Sequence, residues 1–89
     1  MIEGELTVLN RAGLHTRPSA TLVKLTAKYK CDITIIRNGF AINGKSIIGV
    51  MTLAAEQGAK LTLKCDGPDQ EEAFAAIKAL FDDAFGEIM

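Results

Sequence analysis

Apolar residues in this 89-residue chain recur with two different periods, and segments of the two kinds alternate along the sequence. Residues 2–9, 31–37 and 60–65 place apolar side chains at every second position, which predicts half-buried β-strands. Residues 16–29 and 69–86 place them three or four positions apart, which predicts amphipathic α-helices. A chain of this length forms one domain, so these strands and helices must share a single core.

The middle of the chain adds a hairpin and a short helix. Asn38 and Gly39 tolerate the positive φ angles of a tight turn, so they predict a hairpin leading into a short strand at Phe40–Asn43. Ser46 is a suitable N-cap for a short helix over residues 47–54. The resulting order, βαββαβα, favours an α+β fold of two layers, with helices on one face of a single sheet.

Both longer helices carry recognisable end signals. Pro18 is tolerated in the first turn of a helix because its missing N–H would have no partner there. Asp69 can cap the last helix, and Glu72 three residues later predicts a capping box. Gly86 allows that helix to stop.

Composition and charge exclude several classes of protein. An apolar content of 48% and a net charge of 10 − 11 = −1 exclude a mainly disordered chain and give no basic field for nucleic acid or an anionic membrane. The apolar runs are too short to span a bilayer, and the acidic start, Met1–Glu5, lacks the apolar core of a secretory signal. We therefore expect a cytoplasmic protein that binds no nucleic acid and does not insert into membranes. Cys31 and Cys65 fit no metal or redox spacing, so we expect two reduced, buried thiols.

The only histidine lies where a glycine-containing loop meets a helix start, in Gly13-Leu14-His15-Thr16-Arg17-Pro18. The first backbone N–H groups of a helix, that of Thr16 among them, are unpaired and favour an anion. The guanidinium of Arg17 matches phosphate geometry, and a neutral imidazole can attack a phosphoryl group. The hexapeptide therefore predicts that His15 accepts a phosphoryl group; a surface histidine without a role is the alternative.

Other chemistry is disfavoured. With a single histidine and no Ser-His-Asp or Cys-His spacing, the chain predicts neither a metal site nor a conventional hydrolase. Gly39 to Ser46 satisfies the G-x₄-G-K-S count of a P-loop, but Gly39 opens a hairpin and residues 40–42 continue as a strand. A phosphate cradle cannot form there, and we expect no cofactor.

The predicted short helix is apolar nearly all round, although a helix on one sheet face can bury only one stripe. Some of Ile47, Ile48 and Met51 should therefore be exposed. Either a loop or a chain end covers them, or they form a docking patch for another protein.

The hexapeptide, together with Gly44-Lys45-Ser46-Ile47-Ile48-Gly49-Val50-Met51, resembles the HPr family, the histidine-containing phosphocarriers of the bacterial phosphoenolpyruvate:sugar phosphotransferase system. The resemblance covers essentially the whole chain, as one domain of residues 1–89. It implies an open-faced β-sandwich, in which three helices cover one face of a four-stranded antiparallel sheet with the strand order 1-4-2-3.

The resemblance also implies a phosphoryl carrier rather than an enzyme. His15 would be phosphorylated through Nδ1 by phosphorylated enzyme I and would pass the group to a histidine of an enzyme IIA protein for sugar uptake. Arg17 matches the family arginine beside the phosphohistidine, and Ser46 matches the serine that HPr kinase/phosphorylase modifies in many lineages. Ile47, Ile48 and Met51 would bind these partners, and the carrier is expected to be a monomer.

Three alternative functions stay open. Residues 53–58 also resemble HPr paralogues that serve regulation of nitrogen or carbon use. In a purely regulatory protein, modification of Ser46 would matter and His15 would not. A small hydrolase or phosphatase could instead use a phosphohistidine intermediate.

Overall fold

The computed structural model describes residues 1–89, and its strands and helices follow one another in the predicted order, βαββαβα. The strands are β1 (Ile2–Thr7), β2 (Asp32–Arg37), β3 (Phe40–Asn43) and β4 (Lys60–Asp66). The helices are α1 (Thr16–Thr26), α2 (Ile47–Thr52) and α3 (Gln70–Asp82), and one turn of 3₁₀-helix follows at Ala84–Gly86. The longest helix has 13 residues, and none of the three has the length and hydropathy of a membrane-spanning segment.

The four strands form one antiparallel sheet in the order β1-β4-β2-β3, which confirms the predicted topology. In the central pair of strands, Ile33 lies opposite Cys65. Residues that oppose each other directly point to the same face of a sheet, so the apolar halves of the strands combine into one buried face. Helix α3 contacts β1 and β4 on this side. Its approach is close, because a Cβ at Gly4 would lie 2.5 Å from the ring of Phe74.

Each helix contributes fully buried side chains to the same core, including Leu22 from α1, Val50 from α2 and Phe81 from α3. The opposite face of the sheet carries partly exposed polar residues such as Thr34 and Lys64. The structure is thus the predicted α+β open-faced β-sandwich, with helices covering one face.

All three helices end earlier than the sequence predicted, and in α1 and α2 the backbone changes conformation at the helix end. Helix α1 ends at Thr26 rather than near Tyr29, and the amides of Lys28 and Tyr29 bond to carbonyls only three residues earlier. Helix α2 ends at Thr52 rather than at residue 54, because Ala54 adopts a positive φ of 48°.

The end of α3 is set by aromatic packing. The helix stops at Asp82, four residues before the predicted stop at Gly86. Ala84 and Phe85 have φ angles of 52° and 57°, in the left-handed region that non-glycine residues seldom adopt. The ring of Phe85 packs edge to face on Phe81, with 4.8 Å between the ring centroids. This contact holds the chain in a conformation that breaks the helix.

The predicted capping box at the start of α3 is wrong. Asp69 does precede the helix, but its carboxylate does not bond to the amides of that helix. It accepts hydrogen bonds from the backbone N–H groups of Lys30, at 2.8 Å, and Cys31, at 2.9 Å. These bonds lower the pKa of Asp69. Glu72 is exposed, so the carboxylate of Asp69 links α3 to the start of β2 instead of pairing with its own first turn.

Both cysteines are buried free thiols, as predicted. They line the inner face of the sheet, and burial raises the pKa of Cys65 to about 11. Burial, together with the nearby carboxylate of Asp69, also raises the pKa of Cys31. Because the thiolate is the reactive form, these side chains act as small apolar core residues.

Candidate functional site

His15 is the N-cap residue of α1. Its backbone is extended, with φ −85° and ψ −166°, and its carbonyl accepts the first helical hydrogen bond from Ser19 N–H at 3.0 Å. The N–H groups of Thr16 and Arg17 have no acceptor within the chain, and Pro18 has no N–H. Two unpaired donors at the positive end of a helix therefore lie next to the imidazole, an arrangement that favours an anion.

The loop before His15 is rigidly held. Leu14 is buried, and its N–H donates to the carbonyl of Ala55 at 2.8 Å. Gly13 has φ 73°, and a Cβ there would lie 2.4 Å from the same carbonyl, so only glycine fits. The segment after α2 thus supports the loop from behind, while the His15 side chain stays 41% exposed.

An open cleft of about 460 Å³ lies in front of the imidazole. Its walls come from both ends of the chain, namely Arg11, Ala12, His15, Arg17, Gly86, Glu87 and Ile88. The guanidinium groups of Arg11 and Arg17 take part in none of the six ion pairs of the structure. Their charges are available to a ligand in the cleft, and both groups match phosphate oxygens in geometry.

The one carboxylate in the cleft contacts the histidine ring. Glu87 Oε1 lies 3.3 Å from His15 Nε2 and accepts a hydrogen bond from Asn10 Nδ2 at 3.1 Å. Asn10 is fully buried, and its Nδ2 also donates to the carbonyl of Gly13 at 2.8 Å. Sequence reasoning identified His15, Thr16 and Arg17 but missed Asn10, Arg11 and Glu87. The contact between Glu87 and His15 joins residues 72 positions apart, so no local spacing indicates it.

Ser46 caps α2, as predicted. Its Oγ accepts a hydrogen bond from Gly49 N–H at 3.1 Å, and its own N–H donates to Asn43 O at 3.0 Å. The neighbouring Lys45 is anchored through Nζ to the carbonyl of Tyr29 at 2.7 Å. The serine hydroxyl is therefore held at the start of a helix whose other side chains are mostly apolar.

The outer face of α2 is apolar and exposed, as the sequence predicted. Ile47, Ile48 and Met51 are 37%, 73% and 41% exposed, whereas Val50 and Leu53 on the inner side are buried. We refer to Ile47, Ile48 and Met51 as the α2 patch. Helix α2 contacts α1, and the segment that follows it supports the His15 loop. The α2 patch and His15 therefore belong to neighbouring elements on the helical side of the molecule.

The chance match to a P-loop is excluded by the backbone. Asn38 and Gly39, with φ angles of 51° and 81°, form the turn of the β2–β3 hairpin. Phe40–Asn43 then pairs with β2 as a strand, so no loop wraps around a phosphate at this position.

Comparisons with known proteins agree with this architecture. Residues 2–83 match the family model PTS-HPr, described as the PTS HPr component phosphorylation site. Phosphocarrier protein HPr of Cupriavidus necator is 44% identical over 87 residues, covering 98% of each chain, and that of Treponema pallidum is 41% identical over 98% of this chain and 99% of its own. Among solved structures, HPr-C-His from Thermoanaerobacter tengcongensis superposes with a TM-score of 0.96 at 36% identity, with both chains fully covered.

Proposed function

The chain belongs to the HPr family of bacterial phosphotransferase-system phosphocarriers, and from this premise we propose that His15 accepts a phosphoryl group from phosphorylated enzyme I and passes it to a histidine of an enzyme IIA protein. The proposal rests on the hydrogen-bond donors and positive charges that surround the His15 imidazole. The ring is exposed at the start of α1, next to the unpaired N–H groups of Thr16 and Arg17 and to two guanidinium groups without ion-pair partners.

The chemistry needs a nucleophilic nitrogen and donors for the phosphoryl oxygens. The Nδ1 lone pair of neutral His15 attacks phosphorus, and the bond to the donor breaks with its electron pair on the donor. The amides of Thr16 and Arg17 and the guanidinium of Arg17 then stabilise the negative oxygens. Arg11, which lines the same cleft, adds to this positive field.

A carrier must bind its phosphate weakly enough to pass it on. The cleft offers an exposed nitrogen and a few donors for the phosphoryl oxygens, and each partner completes the transfer site in turn. The α2 patch supplies apolar contact area for these encounters, and transient interfaces of this kind bury about 1,200 Å² or less in total. We place this exchange in the cytoplasm, with the carrier acting as a monomer.

Ser46 is proposed as a regulatory site for HPr kinase/phosphorylase. A phosphate on its Oγ would bring about −1.5 to −2 charges to the edge of the α2 patch at neutral pH. Because charge next to an apolar contact surface must be desolvated on binding, modification would weaken docking of enzyme I.

Phosphorylation with enzyme I and phosphoenolpyruvate tests the proposal. The wild type should gain one phosphate that is labile in acid and stable in base, as expected for a phosphoramidate. His15→Ala should gain none, and melting curves should show that it remains folded, because a surface substitution changes stability by about 0.5 kcal/mol or less. Label on the His15→Ala variant would contradict the assignment.

A regulatory paralogue, including one of the nitrogen branch, is the second candidate function. The position of Ser46, partly exposed and directly before the α2 patch, favours it, because a modified serine there could act on a partner without any chemistry at His15. The two functions separate in the same assay, since a purely regulatory protein would take no label from enzyme I while remaining a substrate of the kinase.

A further inference from the structure

The carboxylate of Glu87 contacts the ring nitrogen of His15 that does not take the phosphate, with Oε1 3.3 Å from Nε2. We infer that Glu87 is a positioning residue for phosphoryl transfer: it holds His15 in the tautomer that carries its proton on Nε2 and leaves the lone pair on Nδ1. This inference rests on the proposed role of His15 as the phosphate acceptor.

Hydrogen-bonding capacity decides which tautomer faces the carboxylate. A neutral imidazole has one N–H donor and one lone pair, and an ionised carboxylate can only accept. With Nε2–H facing Glu87 the contact is a charge-assisted hydrogen bond, whereas in the other tautomer the Nε2 lone pair would face a negative oxygen. The carboxylate therefore favours the tautomer in which Nδ1 is the nucleophile.

The carboxylate is held in place by groups other than the histidine. Glu87 is only 24% exposed, and the buried amide of Asn10 donates to its Oε1 from behind. Two hydrogen bonds from Asn10 Nδ2, to Glu87 Oε1 and to Gly13 O, orient the amide, whereas its Oδ1 is buried without a hydrogen-bond partner. The residue after Glu87 is also bound to the loop, because Arg11 N–H donates to the carbonyl of Ile88 at 2.7 Å.

The backbone before Glu87 forms an unusual left-handed turn, which brings the Glu87 side chain to the His15 ring. Ala84, Phe85 and Gly86 all adopt positive φ angles, of 52°, 57° and 71°. Such conformations in non-glycine residues persist only where packing imposes them, and here Ala84 is buried and Phe85 packs on Phe81. The turn ends α3 and directs the chain back across the His15 loop.

During transfer the proton on Nε2 stays where it is. As the Nδ1–phosphorus bond forms, the bond from phosphorus to the donor breaks with its electron pair on the donor, and the His15 ring gains positive charge. Glu87 stabilises that charge from the Nε2 side, and Arg11 and Arg17, which line the same cleft, add positive charge near the phosphoryl oxygens. Discharge to an acceptor runs through the same arrangement in reverse.

Nitrogen-15 NMR of the His15 ring tests the tautomer without any phosphorylation. At about pH 9, where an imidazole is neutral, the wild type should show a protonated Nε2 and an unprotonated Nδ1. Glu87→Ala removes the acceptor, and Glu87→Gln offers an amide that can donate as well as accept, so both should lower the fraction of the Nε2-protonated tautomer toward that of a free histidine side chain. Glu71→Gln, an equal charge change at an exposed site in α3, should not alter it.

Kinetics with enzyme I and phosphoenolpyruvate provide the second readout. For both Glu87 variants we expect kcat to fall about three- to tenfold with KM nearly unchanged, the range for losing a partly exposed charged hydrogen bond. Glu87→Asp, which keeps the charge on a shorter arm, should restore part of the loss.

A tautomer ratio in Glu87→Ala equal to that of the wild type would overturn the inference, whether or not the rate falls. So would a kcat within twofold of the wild type. Absence of label on the wild type would instead refute the proposed role of His15, so the two failures are distinguishable.

Discussion

Arg17 lines the cleft beside His15 and has no ion-pair partner within the chain. Removing its guanidinium in Arg17→Ala should slow phosphorylation of His15 about tenfold, the order of one charge-assisted hydrogen bond, with little effect on stability. Arg17→Lys should restore only part of the rate, because an ammonium lacks the planar fork. Initial rates with enzyme I and phosphoenolpyruvate measure the effect.

Lys24 provides a matched control for Arg17, because it is an exposed cation in the last turn of the same helix. Lys24→Ala should leave the rate close to that of the wild type. Equal rates for the wild type and Arg17→Ala would show that the backbone amides at the start of α1 suffice for transfer.

Some of the side chains around His15 could be identified from the sequence, and others could not. His15 and Arg17 are two positions apart at a predicted helix start, so local spacing was enough to identify them. Glu87 reaches the ring only because a left-handed turn redirects the chain after α3, and nothing before it predicts that turn. Asn10 is buried and donates hydrogen bonds to Gly13 O and to Glu87, so its contribution also depends on the folded chain. Long-range contacts of this kind require the folded backbone.

Arg37 is another residue that sequence reasoning missed. It ends β2, and its guanidinium donates to the carbonyls of Leu53 and Ala54, at 3.0 and 2.9 Å, and pairs with the carboxylate of Glu56 through two bonds of 2.7 Å. The segment it holds includes Ala55, whose carbonyl supports the His15 loop. Its position at the end of an alternating strand gave no reason to expect this role.

Among the helices, α2 is the one in which a single residue, Ser46, is expected to have two roles. It caps the helix, and its modification is expected to regulate the binding of enzyme I. An Asp can cap a helix as Ser does, so Ser46→Asp should leave the melting temperature unchanged or slightly raised. The new charge beside the α2 patch should nevertheless lower the rate of His15 phosphorylation, mainly through weaker binding of enzyme I. Titration of enzyme I against both proteins, with melting curves alongside, measures the two effects.

Ser46→Ala supplies the complementary control for that experiment. It removes the bond to Gly49 N–H without adding charge, so stability should fall by about 1 kcal/mol while affinity for enzyme I is retained. If Ser46→Asp kept full affinity and melted at a lower temperature, Ser46 would be only a helix cap.

Asp69 connects two elements through a bond that depends on pH. Because hydrogen bonds from the amides of Lys30 and Cys31 lower its pKa in the folded state, its contribution to stability is present above the unfolded-state value of about 3.9 and is lost as the pH falls through the lower folded-state pKa. Asp69→Asn should therefore melt at a lower temperature than the wild type at pH 7. The gap should narrow below about pH 3.9.

Glu72 provides the matched control for this prediction, because the capping box would have required it and the structure does not use it. Glu72→Gln should melt close to the wild type across the same pH range. A loss of stability at pH 7 comparable with that of Asp69→Asn would show that the start of α3 is capped by its own first turn.

Period and turn chemistry were sufficient to predict which elements exist and in what order, because amphipathic spacing is a local property. They did not predict where the helices end. The end of α3 depends on Phe85 packing against Phe81, and the role of Asp69 depends on the start of β2 being its neighbour. Both are tertiary contacts that override local signals.

For the molecule as a whole, the strand order required more than local pattern. Pairing Ile2 with Cys65 places the first strand of the chain beside the last one in the β1–β4 ladder. The family resemblance, not the periodicity, supplied this topology. It has a functional consequence, since the segment after α3 then lies against the loop after β1 and completes the cleft in front of His15.

A chase experiment shows whether His15 passes its phosphoryl group on to another protein or releases it to water. The protein is phosphorylated with labelled phosphoenolpyruvate and enzyme I, isolated, and then incubated with enzyme I and excess pyruvate. A carrier returns its label through enzyme I, so we predict that most of the label is recovered as phosphoenolpyruvate. Rapid release of the label as inorganic phosphate, at a rate independent of enzyme I and pyruvate, would identify a hydrolase with a phosphohistidine intermediate and contradict the account.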